Sequence, residues 1–381
     1  MTTVQEVWDL LRAEISPGPV VGCDLPSAPG KVLREDVSAT EDQPPFDRSA
    51  VDGFLVRKGD SAEVYRLVGE IRAGRGDLLE PKDGETLRIA TGAAVPHGDY
   101  EVIMLEEATV EAERVIFSRR GRQHIRRRGE DTLTGQVVVG AGNRLGPGSV
   151  ALLASLGCVR PRVSQAPQVL HLVTGDEIVP PEVQPVLGQV RDANSALVQA
   201  WAGQCGLSLS QQRLGEDLPS LRRALAGTRP LLLISGGASV GRHDHTAEAL
   251  LAEGFDILVQ RVSVRPGKPL IVARRGPEWA FGLPGNPLSH FVCLHVFVAA
   301  AIAAMEGAPP QPFLRQGKVS QDVHGNPRET WWPAVELAQA LSPLPWASSG
   351  DLTALAQTDV LLRVPASGLA AGEVAEFIRV R

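Results

Sequence analysis

The sequence predicts a multidomain α/β protein whose central part is a βαβ domain with a mainly parallel sheet. Three short apolar runs carry this prediction: VLHLV, PLLLI and WAFG, which precede the loops TGDE (174–177), SGGASVGRHD (235–244) and LPGNP (283–287). Short apolar runs bounded by turn residues are typical of buried parallel strands. If the three strands share one sheet, the loops meet at its carboxyl edge, where open α/β folds bind ligands.

Strands and helices alternate along the chain from about residue 167. Apolar runs and turn residues predict strands at 169–173, 207–213, 231–234, 257–264, 270–273 and 279–282, and helices at 192–204, 218–226, 245–252 and 288–306. Asp192 or Asn194 can cap the first of these helices, and Gly206 follows its end. Such alternation indicates parallel strands joined by right-handed crossovers.

The segments on either side have other patterns. An amphipathic helix is predicted at 4–15, strands with Gly- and Pro-rich turns at 44–123, and a short helix at 150–156. We therefore predict four domains: an N-terminal mixed α/β domain (1–43 plus 126–166), a mainly β domain (44–125), the central α/β domain (167–308) and a small C-terminal β domain (309–381).

Composition argues against several classes of protein. The net charge is -6 and aromatic residues make up 4% of the chain, which does not favour nucleic-acid binding. The four cysteines are scattered, as is typical of reduced cytosolic thiols. The N-terminal segment lacks the features of a signal peptide, so a cytoplasmic location is expected. The longest apolar stretch, 291–305, is shorter than the ~20 residues of a membrane span, which predicts a core helix and no membrane contact.

The SGGASVGRHD loop has the features of an anion site. Adjacent glycines after a strand allow positive φ and close backbone approach, so successive amides can surround an anion. The following helix adds its positive N-terminal end. Arg242 and His243 stand where a P-loop requires Lys and Ser or Thr, so an ordinary P-loop is excluded. The structural alternative is a tight strand-to-helix turn.

Other loops carry further charged groups. Asp176 and Glu177 end a strand and suit Mg²⁺, although acids are also common in the first turn of a helix. The arginine cluster of HIRRRGEDTLTG (124–135) is either an anion clamp or a solvated face. Lys268 lies in VRPGKP (264–269), a proline-stiffened turn suited to phosphate. No GxGxxG or HExxH motif is present, so dinucleotide-binding and metalloprotease functions have no support.

Taken in order, SAVDGF, RIATGAAVP, RRRGEDTLTG, LLASLG, TGDEI, SGGASVGRHD, RPGKP and LPGNP resemble the molybdopterin molybdenumtransferase family, that is, the bacterial MoeA type and the gephyrin E domain. The resemblance implies that the central α/β domain binds molybdopterin. It also implies a homodimer whose site lies between domains of two subunits. The implied reaction joins molybdate to adenylylated molybdopterin and releases AMP, with Mg²⁺ as the divalent cation.

The resemblance also assigns residues to the site by their match to family motifs. The catalytic set is Asp52, Thr91, Asp131 and Lys268. The substrate-binding set is Gly236, Gly237, Ser239, Gly241, Arg265, Pro284, Asn286, Pro287 and Ser349. The metal ligands are Glu177 and Asp244. The chain departs from the family pattern at Arg242, where an acid is usual, at Arg265, which replaces Lys, and in RETWWPAVE of the C-terminal domain.

Two alternative functions stay open on the sequence. The first is the sister molybdopterin adenylyltransferase, a smaller single domain, so residues 1–166 and 309–381 count against it. The second is a non-catalytic carrier or scaffold of the molybdenum cofactor. A contact with the adenylyltransferase is also expected, together with small anionic substrates.

Overall fold

The computed structural model of the chain describes residues 1–76, 79–118, 124–215, 217–227, 229–236, 245–337 and 340–380. The helices in these ranges are α1 (Val4–Glu14), α2 (Pro147–Ser155), α3 (Ala193–Gln204), α4 (Leu218–Leu225), α5 (His245–Ala252), α6 (Pro287–Cys293), α7 (Ala299–Met305) and α8 (Leu352–Gln357). Short 3-10 turns lie at Leu25–Ser27 and Leu105–Glu107, and a π-helical turn at Leu294–Val298 joins α6 to α7.

The strands follow in chain order: β1 (Val20–Gly22), β2 (Val37–Ser38), β3 (Arg48–Ser49), β4 (Gly53–Arg57), β5 (Tyr65–Ile71), β6 (Glu85–Ile89), β7 (Tyr100–Met104), β8 (Ala108–Glu111), β9 (Arg114–Phe117), β10 (Ile125–Arg126), β11 (Val137–Val139), β12 (Arg162–Ser164), β13 (Gln168–Thr174), β14 (Ile178–Val179), β15 (Val190–Arg191), β16 (Ser208–Leu214), β17 (Leu231–Ser235), β18 (Asp256–Val259), β19 (Val264–Arg265), β20 (Ile271–Arg275), β21 (Glu278–Leu283), β22 (Leu314–Val319), β23 (Glu329–Leu337), β24 (Ala340–Pro343), β25 (Val360–Val364) and β26 (Val374–Arg379).

The chain divides into two units. Unit 1 comprises Met1–Arg34, Gly142–Gly146 and Arg160–Arg381, and unit 2 comprises Glu35–Ala141 and Pro147–Val159. The division into four domains drawn from the sequence is finer than this and stays a prediction.

The central sheet of unit 1 has the strand order β16-β13-β17-β21-β20-β18. The first four strands are parallel, and β20 and β18 are added antiparallel, so the prediction of a mainly parallel sheet is confirmed. Its middle strands are buried on both faces, because helices cover each side. One face packs against α1, α3, α6 and α7, and the other packs against α4 and α5.

Capping residues explain where the helices of this sheet begin. Asp192 accepts a hydrogen bond from the N–H of Ser195 at 2.9 Å at the start of α3. Asp217 accepts one from the N–H of Ser220 at 2.8 Å at the start of α4. Each side chain satisfies a backbone donor that has no partner within its helix. The observed helices therefore begin close to their predicted positions.

Two predicted elements differ from the structure. The strand expected at 257–264 is divided, because β18 pairs with β20 in the central sheet whereas β19 pairs with β23 of the C-terminal sheet. The polar pair Gln260 and Arg261 interrupts the apolar run where the chain leaves one sheet for the other. The helix expected at 288–306 runs over Pro287–Met305 and contains the π-helical turn.

This helix is long and apolar enough to cross a membrane, but 78% of its most apolar 18-residue stretch is buried inside the protein. It packs in the core of unit 1 with α1 and α3. The prediction of a core helix is confirmed.

The C-terminal strands of unit 1 form a small barrel. Strands β23, β24, β22, β26 and β25 pair in that order, and an additional pairing of β25 with β23 closes the ring. Its interior is a separate apolar cluster that includes Val319, Leu341 and Phe377. The predicted small β domain is therefore present at the end of the chain.

Unit 2 is mainly β. Its main sheet has the order β7-β4-β6-β5-β9-β8, with apolar clusters around Leu55 and Phe54 on its two faces. The alternation of side chains along β4 explains this arrangement, since neighbouring residues of a strand point to opposite faces. The predicted helix at 150–156 is α2.

Candidate active site

Three of the predicted loops meet at the carboxyl edge of the central sheet. The parallel register places Val173 opposite Ser235 and Ser235 opposite Leu283, so β13, β17 and β21 end at the same level. The segments that follow are 174–177, 235–236 and 284–287. This is the edge at which open α/β sheets bind ligands.

Gly236 shows how closely the first two loops pack. Its φ is +93°, and a β-carbon added there would lie 2.3 Å from the carbonyl oxygen of Thr174. The hydroxyl of Thr174 donates to the carbonyl of Ser235 at 3.2 Å. Only glycine fits between these strand ends. The rest of this predicted anion loop, including Gly237, Ser239, Gly241, Arg242 and Asp244, lies outside the described residues.

Glu177 lies at the end of the same edge. Its side chain is exposed, and its carboxylate folds back over Gly175, where an added β-carbon would lie 2.8 Å from Oε2. No group of three or more His, Cys, Asp or Glu side chains within the described ranges could hold a metal ion. A metal at this edge would therefore need oxygen ligands from elsewhere in addition to Glu177.

A cavity of about 390 Å³ in unit 1 collects five more of the predicted residues. We call it the cationic pocket, and it is lined by residues 265–269, 284–286 and 346–349 with Ser289 and Arg328. Arg265, Lys268, Pro284, Asn286 and Ser349 were expected in the site and lie together in this lining. Pro287, the first residue of α6, follows directly in the chain.

The walls of the cationic pocket are held by specific contacts. The side-chain amide of Asn286 donates to the hydroxyl of Ser349 at 2.9 Å, and the N–H of Leu288 donates to the Ser349 carbonyl at 2.9 Å. These bonds join the start of α6 to the segment before α8. The guanidinium of Arg265 stacks over Trp346 at 5.1 Å from the ring centroid.

The charge of the cationic pocket indicates its ligand class. Arg265, Lys268 and Arg328 are the charged side chains among the described lining residues, and none of those residues is a carboxylate. Guanidinium and ammonium groups bind multi-oxygen anions through charge-assisted hydrogen bonds. The cavity is therefore suited to an oxyanion.

Arg328 was not expected in the site from the sequence. Its Nη1 donates to the carbonyl of Val264 at 3.1 Å, which holds it beside the 265–269 segment. Arg328 begins RETWWPAVE, the stretch that departs from the family pattern. In the sequence, Arg328 is a lone arginine 60 residues after Lys268. That spacing does not indicate that the two side chains line the same pocket.

A buried polar layer lies beneath the loops. The Nε2 of His171 contacts the hydroxyl of Ser235, and its Nδ1 lies 2.9 Å from the side-chain amide of Gln211. The Nδ1 of His290 lies 3.1 Å from the carbonyl of Pro284. Burial lowers the pKa of His171 to about 3 and the pKa of His290 to about 4. Both rings are therefore neutral at physiological pH.

In unit 2 the structure brings Asp52 and Thr91 together. Asp52 Oδ1 accepts hydrogen bonds from the N–H of Thr91 at 2.7 Å and from its hydroxyl at 3.0 Å. The backbone bond and then the hydroxyl bond lower the pKa of Asp52, so its exposed side chain is a carboxylate at neutral pH. Backbone bonds through Ser49 join the two loops, since its N–H donates to Ala93 and its carbonyl accepts from Gly92.

Asp131 occupies a different setting in the same unit. It forms an ion pair with Arg126, which also bonds Glu130 at 3.2 Å. The neighbouring arginines are paired as well, Arg127 with Asp47 at 2.6 Å and Arg128 with Asp42 at 2.8 Å. The arginine cluster therefore forms an ion-pair network within unit 2, and the role expected of Asp131 stays a prediction.

Comparison with protein families gives two matches. Residues 2–157 match the MoeA N-terminal region (domain I and II), and residues 171–304 match the probable molybdopterin binding domain. The chain is 29% identical to a molybdopterin molybdenumtransferase of Staphylococcus aureus strain MRSA252, over 98% of this chain and 94% of that protein. It is 28% identical to one of Staphylococcus epidermidis strain ATCC 35984, over 94% and 90% of the two chains.

Solved structures show the same fold. The molybdopterin biosynthesis moeA protein of Pyrococcus horikoshii OT3 has a TM-score of 0.82 and 25% identity, covering 99% of each chain. A molybdenum cofactor biosynthesis protein of Pyrococcus furiosus has a TM-score of 0.62 and 18% identity, covering 99% of this chain and 98% of that one. Because the family matches, the relatives and the fold agree along the chain, the chain belongs to the molybdopterin molybdenumtransferase family of MoeA proteins.

Proposed function

We propose that this protein acts in molybdenum cofactor biosynthesis as a molybdopterin molybdenumtransferase, which inserts molybdate into adenylylated molybdopterin and releases AMP. The cationic pocket is the observation that carries the proposal. Molybdate is a compact oxyanion with two negative charges, and the part of the pocket lining that the structure describes offers three cationic side chains and no carboxylate. The molybdopterin molybdenumtransferases to which the chain is similar supply the class of reaction.

The residues of the pocket have distinct roles in this proposal. Lys268 and the two arginines neutralise and hold the anion, whereas Asn286 and Ser349 offer polar groups already fixed by their mutual hydrogen bond. Fixed donors and charges stabilise an anion without reorganising during the reaction. Gly236, Gly237, Ser239 and Gly241 are proposed to bind the phosphate groups of adenylylated molybdopterin, and Pro284 and Pro287 to stiffen the adjoining turn.

The carboxylate of Asp52 is a proposed catalytic group together with Thr91, Asp131 and Lys268. Asp52 is a carboxylate at neutral pH, and the two hydrogen bonds from Thr91 favour this charged form, so it can accept a proton or a hydrogen bond from substrate. Its exposure leaves it accessible to a ligand.

A divalent cation is also part of the proposal. Mg²⁺ binds proteins through one or two carboxylates plus substrate phosphates and water, so a single exposed Glu177 at the sheet edge fits such a site. Asp244 is the second proposed ligand. When bound, Mg²⁺ would neutralise charge on the pyrophosphate-type bond that is cleaved.

One assay tests the reaction. Purified adenylylated molybdopterin is incubated with the protein, with and without molybdate and Mg²⁺, and AMP release is followed. We expect release that requires Mg²⁺ and yields molybdenum cofactor when molybdate is present. An adenylyltransferase would instead attach AMP to molybdopterin, and a scaffold would give no turnover, so either result would overturn the proposal.

A binding measurement tests the pocket separately. Lys268→Ala and Arg328→Ala should each weaken molybdate binding by about tenfold or more, because each removes a charged partner. Arg315→Ala is the matched control. Arg315 belongs to the C-terminal barrel, its guanidinium lies over the ring of Phe313, and it is not one of the residues that line the pocket. Equal affinities in all these proteins would remove molybdate from this pocket.

We further propose a homodimer in the cytoplasm, with a contact to the molybdopterin adenylyltransferase that supplies the substrate. The dimer is what the resemblance to the family motifs implies. The adenylyltransferase contact is supported by the chemistry, because its product is the proposed substrate.

A further inference from the structure

The turn 284–286 forms one wall of the cationic pocket, and two side chains bond its backbone. The side-chain amide of Asn194 donates to the carbonyl of Gly285 at 2.7 Å. The Nδ1 of His290 lies 3.1 Å from the carbonyl of Pro284. The turn's two successive carbonyls are thus fixed by groups on α3 and α6.

The hydrogen-bond chemistry defines the tautomer of His290. A carbonyl oxygen can only accept, so Nδ1 must carry the proton. The ring is fully buried, and burial lowers its pKa to about 4, so Nε2 has no proton. Nε2 has no hydrogen-bond partner among the described protein atoms.

Packing alone does not explain a histidine at this place. A buried ring nitrogen without a partner is unfavourable, and an apolar side chain of similar volume would avoid that cost. The bond that His290 does make is to the pocket turn, two residues before the Asn286 side chain that reaches Ser349. The ring therefore has a specific contact that an apolar residue could not provide.

We propose that His290, as its Nδ1–H tautomer, is a positioning residue that holds the turn 284–286 as a wall of the cationic pocket, an inference that rests on the proposed binding of an oxyanion there. His290 does not touch the anion. It acts through its hydrogen bond to the carbonyl of Pro284, which fixes the positions of the Asn286 side chain and of the adjoining backbone.

Amide substitutions separate this role from simple filling of space. The amide nitrogen of Asn can take the place of Nδ1, whereas that of Gln takes the place of Nε2. We therefore expect His290→Asn to bind molybdate within about threefold of wild type, and His290→Gln and His290→Leu to bind about tenfold or more weakly. His295→Leu is the matched control, because His295 is a half-buried ring that follows α6 in the same long helix and packs on Phe291 and Trp201.

Thermal unfolding of each variant is measured beside molybdate affinity. Rescue by Asn but not by Gln, without a matching order of melting temperatures, supports the positioning role. The inference is overturned if Leu and Gln bind as wild type does, or if affinity follows melting temperature across all variants.

If a variant does not fold, the wild-type protein still decides the question. The ¹⁵N chemical shifts of its histidine rings report the tautomers, and His290 must be protonated at Nδ1 between pH 6 and 8. An Nε2–H tautomer would overturn the inference. Failure of the proposed function looks different, because wild-type protein would then bind no molybdate whatever the tautomer of His290.

Discussion

Thr91 donates two hydrogen bonds to a single carboxylate oxygen of Asp52, one from its backbone N–H at 2.7 Å and one from its hydroxyl at 3.0 Å. The two residues are 39 positions apart in the sequence and lie on separate loops of unit 2. Hydrogen bonds to the charged form of an acid favour ionisation, which is why the pKa of Asp52 is lowered. This pair is the best-defined element of the proposed catalytic set.

We expect Thr91→Val to raise the pKa of Asp52 towards its ordinary value of 3.8, because one of its two donors is lost. Thr91→Ser keeps the hydroxyl and should leave this pKa low. Carboxyl ¹³C chemical shifts measured during an acid titration report it directly. Because the pKa of Asp52 is lower in the folded protein, the stabilisation is present above pH 3.8 and is lost as the pH falls through the folded value. An unchanged titration in Thr91→Val would show that the hydroxyl bond is absent in solution.

We expect Glu177→Gln and Asp244→Asn each to reduce molybdate insertion strongly while the protein stays folded. Glu177 follows β13, and the sequence predicts that Asp244 lies in a loop after a strand, where side chains serve binding more often than packing. The variant with both changes should lose little more than either one alone, since the two acids would serve one ion. The rates are compared over a series of Mg²⁺ concentrations, with circular dichroism as the check on folding. A double variant with wild-type rate would remove both acids from the metal site.

Mixing two inactive chains tests the proposed dimer. If one active site takes Asp52 from one subunit and Glu177 from the other, an Asp52→Ala chain mixed with a Glu177→Gln chain should recover activity. Each heterodimer then has one intact site and one site with both defects. Subunit exchange is confirmed with two affinity tags. Exchange without recovered activity would place both residues in a site within one chain.

The close approach of Gly236 to Thr174 predicts a large effect of one methyl group. Gly236→Ala should lower the free energy of unfolding by on the order of 2 kcal/mol, since φ is +93° and the added carbon would lie 2.3 Å from a backbone oxygen. Gly203→Ala is the control, because Gly203 lies within α3 and an added β-carbon meets nothing within 4 Å. That change should stabilise the protein by about 0.5–1 kcal/mol. Urea denaturation measures both, and equal stability of the two variants would contradict the prediction.

Buried neutral histidines predict a loss of stability in mild acid. Burial lowers the pKa of His171 to about 3 and those of His290 and His295 to about 4, from an ordinary value of 6.5. Below pH 6.5 the unfolded chain binds protons that the folded chain excludes, so the free energy of unfolding falls as the pH falls towards 4. Each ring lowers the free energy of unfolding by up to about 1.4 kcal/mol for each pH unit in this range. Denaturation at pH 7, 6 and 5 checks this, and His295→Leu should reduce the slope. A flat profile would mean that the rings protonate freely in the folded state.

Local sequence signals predicted the central sheet well. The ends of the helix predicted at 192–204 were recognised from the Asp192 cap and from Gly206. Both are local features, because they depend only on neighbouring residues in the chain. The strands 169–173 and 231–234 were apolar runs long enough to need burial on both faces. The division of 257–264 between two sheets depends on β23, which begins 65 residues after Val264, and no local pattern describes such a partner.

The site was predictable to the extent that it is built from loops at strand ends. Lys268 and Asn286 lie in proline-stiffened motifs whose chemistry is visible in the sequence, and the pocket contains both. Arg328 directly precedes the barrel strand β23 and lines the same pocket, where the backbone carbonyl of Val264, distant in the sequence, accepts its hydrogen bond. Its place is set by tertiary packing, so only the folded chain reveals it.

The π-helical turn at Leu294–Val298 divides the long helix into two halves with different angular phases. A regular α-helix advances about 100° per residue, so one extra residue in a turn rotates everything before it relative to everything after it. The first half contains His290, beside the pocket turn, and the second half buries Ile302 and Met305 in the core of unit 1. Deleting a single residue from this turn would restore even winding, yet it would force one half out of register with its surroundings. The wide turn thus lets the first half of the helix contact α3 and α8 in one phase and the second half contact α1 in another.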